Sequence, residues 1–467
     1  MTSLAIRNGK VFLESGLVEA SLLIENGRIA AITKGSFLPS DQVLDATGAI
    51  ILPGGIDVHT HIEDLDYAYR EDYITGTRAA AAGGITTVLE MPLGIEGKSS
   101  CEVFDMQLES MNQRSLVDFG IIGAAGRASI PHISSLAERG CIGFKTFMTS
   151  APPEEAELSD LAAENDYSLL KIFSEIAKTG LVASVHAEND AIIKGEITRL
   201  QSEGRKDFSA HTESRPPIAE NEACLRALIL ACHTRVSLNL VHMSSKNAFS
   251  FIRLAKAREV DVTCEITPHH LFLTSNDGEK IGPWAKVDPP LRSPDHVRAA
   301  WNALRTGTID MVASDHSPYA HHEKSSDNIF QCASGTPGIQ TMLPLLIDAY
   351  THRRLTLVQL ANLTSTNPAK RFNLYPKKGV IAPGSDADLV LVNPRSQYTL
   401  TNQSIISKPA LTIFNGRTLT GAIQTTILRG SIIYDNGAFT QKEGYGEFVA
   451  PLDLHRKPQM KKSETLQ

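Results

Sequence analysis

Between Gly54 and about Leu374 the chain repeats one pattern: a short apolar run that reads as a strand, then a gap long enough for a helix. Eight such runs can be counted: GIDVHTH (55–61), TTVLEM (86–91), DFGIIGA (118–124), CIGFKTFM (141–148), LVASVHA (181–187), SLNLVHM (237–243), VDVTCEI (260–266) and IDMVASD (309–315). The gaps carry longer stretches such as EACLRALILAC and NAFSFIRLAKA, with apolar residues at helical spacing. Eight strands alternating with helices are the arithmetic of a (β/α)8 barrel, and near-continuous apolar runs suit parallel strands covered on both faces. The spacing therefore predicts an α/β fold centred on a TIM-like barrel over residues 54–375. In such a barrel the side chains that do chemistry sit at the C-terminal ends of the strands.

The flanks read differently. LAIRNGKVFL and SLLIENGRIAAI near the start, and SDADLVLVNP and TTILRGSIIYDNG near the end, look like short strands, and the NG pair in each of the first two favours a hairpin reversal. Residues 1–53 and 376–454 are expected to form one composite β-sandwich beside the barrel, leaving the polar, basic stretch 455–467 as a poorly ordered tail. A length of 467 residues, too long for one ordinary core, agrees with two units. The chain lacks any apolar run near the roughly 20 residues of a membrane helix, and its first residues, MTSLAIRNGK, have no export or import character, so a cytoplasmic protein with no membrane partner is expected. Six cysteines without CxxC pairing read as free buried thiols. A net charge of -7 argues against nucleic acid and leaves a small molecule as the expected ligand.

The strand ends carry the chemistry. His59 and His61 stand at i and i+2 and so share a face of the first strand, where they can grip one ion together. Lys145, His186, His242 and Asp315 occupy the corresponding ends of the fourth, fifth, sixth and eighth runs. A lone histidine at a strand end is more often a hydrogen-bonded structural residue than a ligand, but an HxH pair joined by two more histidines and an aspartate points to a metal site. His132, His211, His233, His296, His321, His322, His352 and His455 fall outside the pattern and read as surface or structural residues, and His269 and His270 as structural or supporting ones. Lys145 is the odd member. A protonated lysine beside dications would be repelled, so it must be neutral, turned away or converted to an anion, unless it is an ordinary ion-pair lysine.

These motifs resemble those of the cyclic amidohydrolases: dihydroorotases, allantoinases, hydantoinases and dihydropyrimidinases. The resemblance spans nearly the whole chain and rests on GGIDVHTH, TGTRAAAAGGITTVLEMP, GFKTFM, VHAEN, LVHMSS, CEITPHHL, KVDPPLR, SDHSP and NPAKRFNLYPKKGVIAPGSDADLVLV. It implies a centre of two divalent metal ions, usually zinc, although cobalt and manganese also suit such ligands. It further implies that Lys145 is carboxylated and bridges both ions, that His59 and His61 hold one ion with Asp315, and that His186 and His242 hold the other. A water shared by two such ions is acidified toward a pKa of about 7 and attacks a ring carbonyl, while Asp315 would carry its proton to the departing nitrogen. The family is usually oligomeric, which implies a homodimer or homotetramer.

The substrate is written less plainly. Dihydroorotases usually carry an arginine two residues beyond the second metal histidine, to pair with the substrate carboxylate; here Glu63 stands there and would repel it. The MPL after the second strand also departs from their usual MPN. Asp288 in KVDPPLR replaces the family's asparagine or serine, and either accepts a hydrogen bond from ring or ureido NH groups or caps a turn before Pro289. HIEDLD, IGPWAKVDPPLRS and SDHSP look most similar to allantoinases and hydantoinases. The expected substrate is therefore a cyclic ureide with a five-membered ring, with dihydroorotase or dihydropyrimidinase as the alternative activity. A noncatalytic assembly protein of the same fold is the alternative class, disfavoured because all six ligand positions are filled.

Overall fold

In the computed structural model the described residues are 3–34, 39–151, 158, 161–163 and 165–452. The expected tail at 455–467 and most of the loop following Ala151 lie outside them. Five strands come first: β1 (Leu4–Leu13), β2 (Gly16–Glu25), β3 (Arg28–Thr33), β4 (Gln42–Asp45) and β5 (Ile50–Pro53). Eight more follow: β6 (Gly55–Thr60), β7 (Ile85–Glu90), β8 (Asp118–Ala124), β9 (Gly143–Phe147), β10 (Val182–His186), β11 (Ser237–Leu240), β12 (Val262–Ile266) and β13 (Met311–Val312). The chain then adds β14 (Leu389–Thr399), β15 (Thr418–Leu428), β16 (Ser431–Asp435) and β17 (Ala438–Phe439).

Strands β6 to β13 pair in chain order and in parallel, each inside or overlapping one of the eight expected runs. The ring closes through a single bridge, Thr60 to His316, where His61 N–H donates to the His316 carbonyl at 2.7 Å. Helices fill the gaps, including Pro217–Thr234 and Lys246–Ala257 over the two stretches singled out by their periodicity. Phe119, Phe144, Val185 and Leu240 on the strands share one apolar cluster with Phe173, Leu228 and Ile252 on the surrounding helices. The paired glycines opening β6 have a packing reason: a Cβ on Gly54 would collide with the Thr86 side chain at the start of the neighbouring strand.

The two ends of the chain build one mixed sheet of nine strands, ordered β17-β16-β15-β14-β5-β1-β2-β3 with β4 beside β1. Leu22, Ile24, Ile51, Leu389 and Ile427 from both ends meet in its core. The second NG pair makes the expected hairpin, with Asn26 at φ 52 and Gly27 at φ 76 between β2 and β3. The first does not. Asn8, at φ 61, lies inside β1, where the register shifts between Ile6 and Gly9, so this NG is a bulge and β1 runs on to Leu13.

Sheet and barrel are joined by a buried ionic knot. Lys378 Nζ lies 2.6 Å from both Asp118 and Asp388 and 3.5 Å from Asp386, and Arg429 also pairs with Asp118. The three carboxylates would suit a cation, and the lysine ammonium already fills that place. Five cysteines are buried free thiols as expected, but Cys232 is exposed on its helix. Among the described residues no helix is long and apolar enough to cross a membrane.

Candidate active site

The sequence-predicted residues meet at one end of the barrel. His59 is the penultimate residue of β6, and His61 lies just beyond the strand with its Nε2 3.3 Å from His59 Nε2. Asp315 Oδ1, three residues past β13, is 3.2 Å from His59 Nε2 and 3.7 Å from His61 Nε2. Lys145 in β9 brings its amine to 3.1 Å from His59 Nε2. Across from them His186 ends β10, and its Nδ1 is 3.1 Å from Nε2 of His242. The His59 and His242 rings are 5.4 Å apart, so the two groups of ligands face a common space. His242 and Asp315 both hold a left-handed backbone, at φ 38 and φ 49, a conformation that side-chain-bearing residues keep only where their surroundings enforce it.

The electrostatics suit cation binding. Burial first, and then the Lys145 amine, hold His59 and His61 well below the ordinary histidine range; burial and the neighbouring His186 do the same for His242. These imidazoles are therefore neutral, which is the ligating form. His59 Nδ1 lies 3.1 Å from Glu265 Oε2, which places the ring proton there and leaves the Nε2 lone pair facing inward. His186 is turned the other way: its Nε2 is 2.9 Å from Glu188, so Nδ1 is the inward atom. Nε2 of His59 thus looks at a second imidazole nitrogen and a carboxylate oxygen together, an arrangement of lone pairs that a cation would relieve. His59, His61 and Asp315 bring three ligand atoms within 4.8 Å of one another.

Lys145 is fully buried, and desolvation lowers its amine to about 8 against the opposing pull of Asp315 and Glu265. Its amine contacts His59, while the Asp315 and Glu265 carboxylates act on it through space. Burial pushes the Asp315 carboxyl up to about 7, with Asp57 and Asp288 adding to the rise and Lys145 opposing it. Below the ligands the barrel interior is polar: Asn239 donates to Glu265 and to Ser184 Oγ, and Asp57 accepts the Ser314 N–H at 3.0 Å.

The space in front of the ligands is a cavity of about 60 Å³ whose rim includes Glu63, Arg215, Asp288 and Tyr319. It adjoins a larger one of about 290 Å³, with Arg215 and Asp288 on both walls. The Asp288 carboxylate does not cap a turn. Its Oδ2 lies 2.6 Å from Arg215 Nη2, and its Oδ1 sits 3.3 Å from His211 Nε2 with no hydrogen bond of its own. Glu63 is buried at φ 55 and paired with Arg70 at 2.9 Å; Arg70 also binds Glu323 and lies over the Tyr319 ring.

Several residues escaped the sequence reading. Glu188 and Glu265 hydrogen-bond His186 and His59, and each stood in a motif already quoted, VHAEN and CEITPHHL. A carboxylate two residues beyond or near the end of an apolar run was the available signal. Arg215 and His211 gave none, because their place beside Asp288 depends on how the chain folds after β10. His270 is structural as expected, tied to Thr267 and to the Pro289 carbonyl.

Known proteins bear on this geometry. An L-hydantoinase of Paenarthrobacter aurescens is 33% identical over 96% of this chain and 98% of its own length. An allantoinase of Enterococcus faecalis is 35% identical, covering 96% of this chain and 99% of that one. A dihydroorotase of Methanosarcina acetivorans is 36% identical over 96% of each chain. The solved L-hydantoinase (dihydropyrimidinase) from Arthrobacter aurescens superposes with a TM-score of 0.92 at 32% identity, covering 96% of this chain and all 100% of that one. The sequence model of the Amidohydrolase family matches residues 50–433, a span that holds every candidate ligand described above, and the chain belongs to that family.

Proposed function

We propose that the protein hydrolyses the amide bond of a cyclic ureide, a hydantoin-type five-membered ring in first place, using two divalent ions. The observation that carries this reading is the convergence of buried His59, His61, His186 and His242 with Lys145 and Asp315 at the barrel mouth. His59, His61 and Asp315 would hold one ion and His186 and His242 the other, with Lys145 bridging them as a carbamate. The donor set fits: imidazole and carboxylate suit zinc, and a lysine amine lowered to about 8 has the lone pair needed to add carbon dioxide. Bound ions supply a water acidic enough to attack at neutral pH and polarise the carbonyl it attacks.

The chain's own residues do the rest. Asp315 reaches the same space as His59 and His61 and, with its carboxyl raised toward neutrality, accepts the attacking water's proton and passes it to the departing ring nitrogen. An amide nitrogen leaves poorly unless protonated, so this transfer governs ring opening. Asp288 Oδ1, buried without a hydrogen bond, is the acceptor for a ring or ureido N–H. The cavity of about 60 Å³ around these groups shares Arg215 and Asp288 with the larger one of about 290 Å³ beside it.

A second reading, dihydroorotase, draws on the relative of that name. Against it stands Glu63, a carboxylate on the cavity rim where that activity calls for a cation. The noncatalytic reading finds no missing ligand to rest on. The test is hydrolysis of hydantoin, 5-substituted hydantoins, allantoin, dihydrouracil and dihydroorotate by zinc-loaded protein treated with bicarbonate. Opening of hydantoin-type rings is expected; strong preference for dihydroorotate overturns the ranking, and no hydrolysis of any ring overturns the activity.

A further inference from the structure

The ligand histidines are not held alike. His59 leans on Glu265, whose other oxygen is engaged by a neutral amide, Asn239. His186 leans on Glu188, and Glu188 in turn leans on a cation: its Oε2 accepts from His186 Nε2 at 2.9 Å and also from Arg215 Nη1. The second arm of the same guanidinium, Nη2, lies 2.6 Å from Asp288 Oδ2 on the cavity wall. Glu188 is fully buried and Arg215 nearly so. We propose that Arg215 is a positioning residue that fixes His186 through Glu188 and ties it to Asp288, so that the ion held by His186 and His242 depends on Arg215 while the ion held by His59 and His61 does not.

The reasoning is geometric. With Nε2–H committed to Glu188, the free lone pair of His186 is on Nδ1, the atom that faces His242. Loosening Glu188 lets the ring turn and lose that aim. Glu188 cannot hold itself in place, since both of its bonds fall on one oxygen and Oε1 has no hydrogen-bond partner. Arg215 can hold it, because its own backbone is pinned: its carbonyl accepts from Arg292, which also grips Glu220 at 3.1 Å, and two prolines, Pro216 and Pro217, follow it. The planar guanidinium offers a separate nitrogen to each of the two carboxylates, Nη1 to Glu188 and Nη2 to Asp288, whereas a lysine would have to serve both with one atom. Loss of the group that orients a ligand histidine typically weakens metal binding by about 10–100-fold.

The proposal rests on the two-ion reading above, and the experiment separates the two. Full-length protein, stripped with a chelator, is titrated with zinc in bicarbonate against a chromophoric chelator to give stepwise affinities. Cadmium-113 NMR of the cadmium-loaded protein assigns each step to a site. Arg215→Lys should weaken the His186/His242 ion by about 10–100-fold and leave the other within about threefold. Glu188→Gln, which keeps size and an acceptor for His186 but loses the charge for Arg215, should weaken the same ion. The double variant should be no worse than the poorer single one, because both changes cut one line of force. If Arg215→Lys does not fold, the isosteric Glu188→Gln must still show the site-selective loss. Wild-type protein that binds fewer than two ions sinks the two-ion reading. Two ions in wild type with no loss, equal loss at both sites or additive losses in the variants sinks the role of Arg215 alone.

Discussion

Asp315→Asn separates two roles that the aspartate combines. Asparagine keeps the size and one side-chain oxygen, so the contacts at 3.2 Å to His59 and 3.7 Å to His61 can persist and an ion there keeps an oxygen donor. What is lost is the ability to take up a proton. A positioned acid–base group contributes about 10²–10⁴-fold to rate, which at about 1.4 kcal/mol per decade is about 3–5 kcal/mol of barrier. The variant should therefore lose about 10²–10⁴-fold in kcat/KM on a hydantoin while its metal content, read by mass spectrometry of the acid-digested protein, stays close to wild type. The pH profile supplies a second check. Burial raises this carboxyl to about 7, and it acts as a base only when ionised, so wild-type kcat/KM falls as pH drops through its pKa; bound cations place that fall below 7. The acid limb should be missing from the residual activity of the variant. Activity within tenfold of wild type, or an unchanged acid limb, refutes the proton-transfer role, and parallel loss of metal and activity reduces Asp315 to a ligand.

Three other perturbations probe the same picture. Lys145→Met should bind fewer than two ions per chain and lose the carbamate carbon signal that wild type takes up from 13C-bicarbonate; two ions and full activity in the variant would remove Lys145 from the centre. Glu63→Gln keeps an acceptor for Arg70 but removes the rim charge, and should raise the ratio of kcat/KM for dihydroorotate over hydantoin by about tenfold, the size of a screened charge–charge contact; an unchanged ratio would show that Glu63 does not select against carboxylates. Lys378→Met removes the ammonium that buried Asp386 and Asp388 share, leaving Asp386 with only the more distant Arg28 and Lys377 at 3.9 and 4.0 Å, and should cost about 3–5 kcal/mol in denaturant unfolding. Asp386 is already raised by burial against the pull of Lys378, and losing the lysine raises it further. A carboxyl raised in the folded state stabilises below its unfolded pKa and loses that contribution as pH rises, so the deficit should be greatest near neutrality and shrink toward pH 4; a pH-independent deficit would contradict this.

What could be read from the sequence divides along a physical line. The eight barrel strands were legible because each is a local apolar run with its own helix behind it, and periodicity needs no knowledge of distant residues. The candidate ligands were legible for a related reason: a histidine, lysine or aspartate at the end of an apolar run interrupts it, so His59, Lys145, His186, His242 and Asp315 stand out against their own runs. The first NG pair misled because a hairpin and a bulge use the same left-handed asparagine. The choice between them was made by packing, since a Cβ on Gly9 would come within 2.7 Å of Ile51, a residue forty-two positions away.

The groups that tune the site were hidden for the opposite reason. Arg215 stands in an ordinary polar stretch, SRPPIAE, and Arg70 in DYAYRED; neither interrupts an apolar pattern. Each acquires its meaning only when the loops after different strands meet, Arg215 joining Glu188 to Asp288 and Arg70 joining Glu63 to Glu323. Both arginines thus do the same thing beside one cavity: each ties a carboxylate near a candidate ligand histidine to a carboxylate on a different loop. Strand ends set which metal chemistry is available, and these cross-loop pairs decide how rigidly the ligands are aimed and what the rim accepts. Substitutions confined to the loop side of either pair should therefore change the preferred ring and the affinity of one ion while leaving the barrel's stability within about 1 kcal/mol of wild type, a separation that reading either element alone would not lead one to expect.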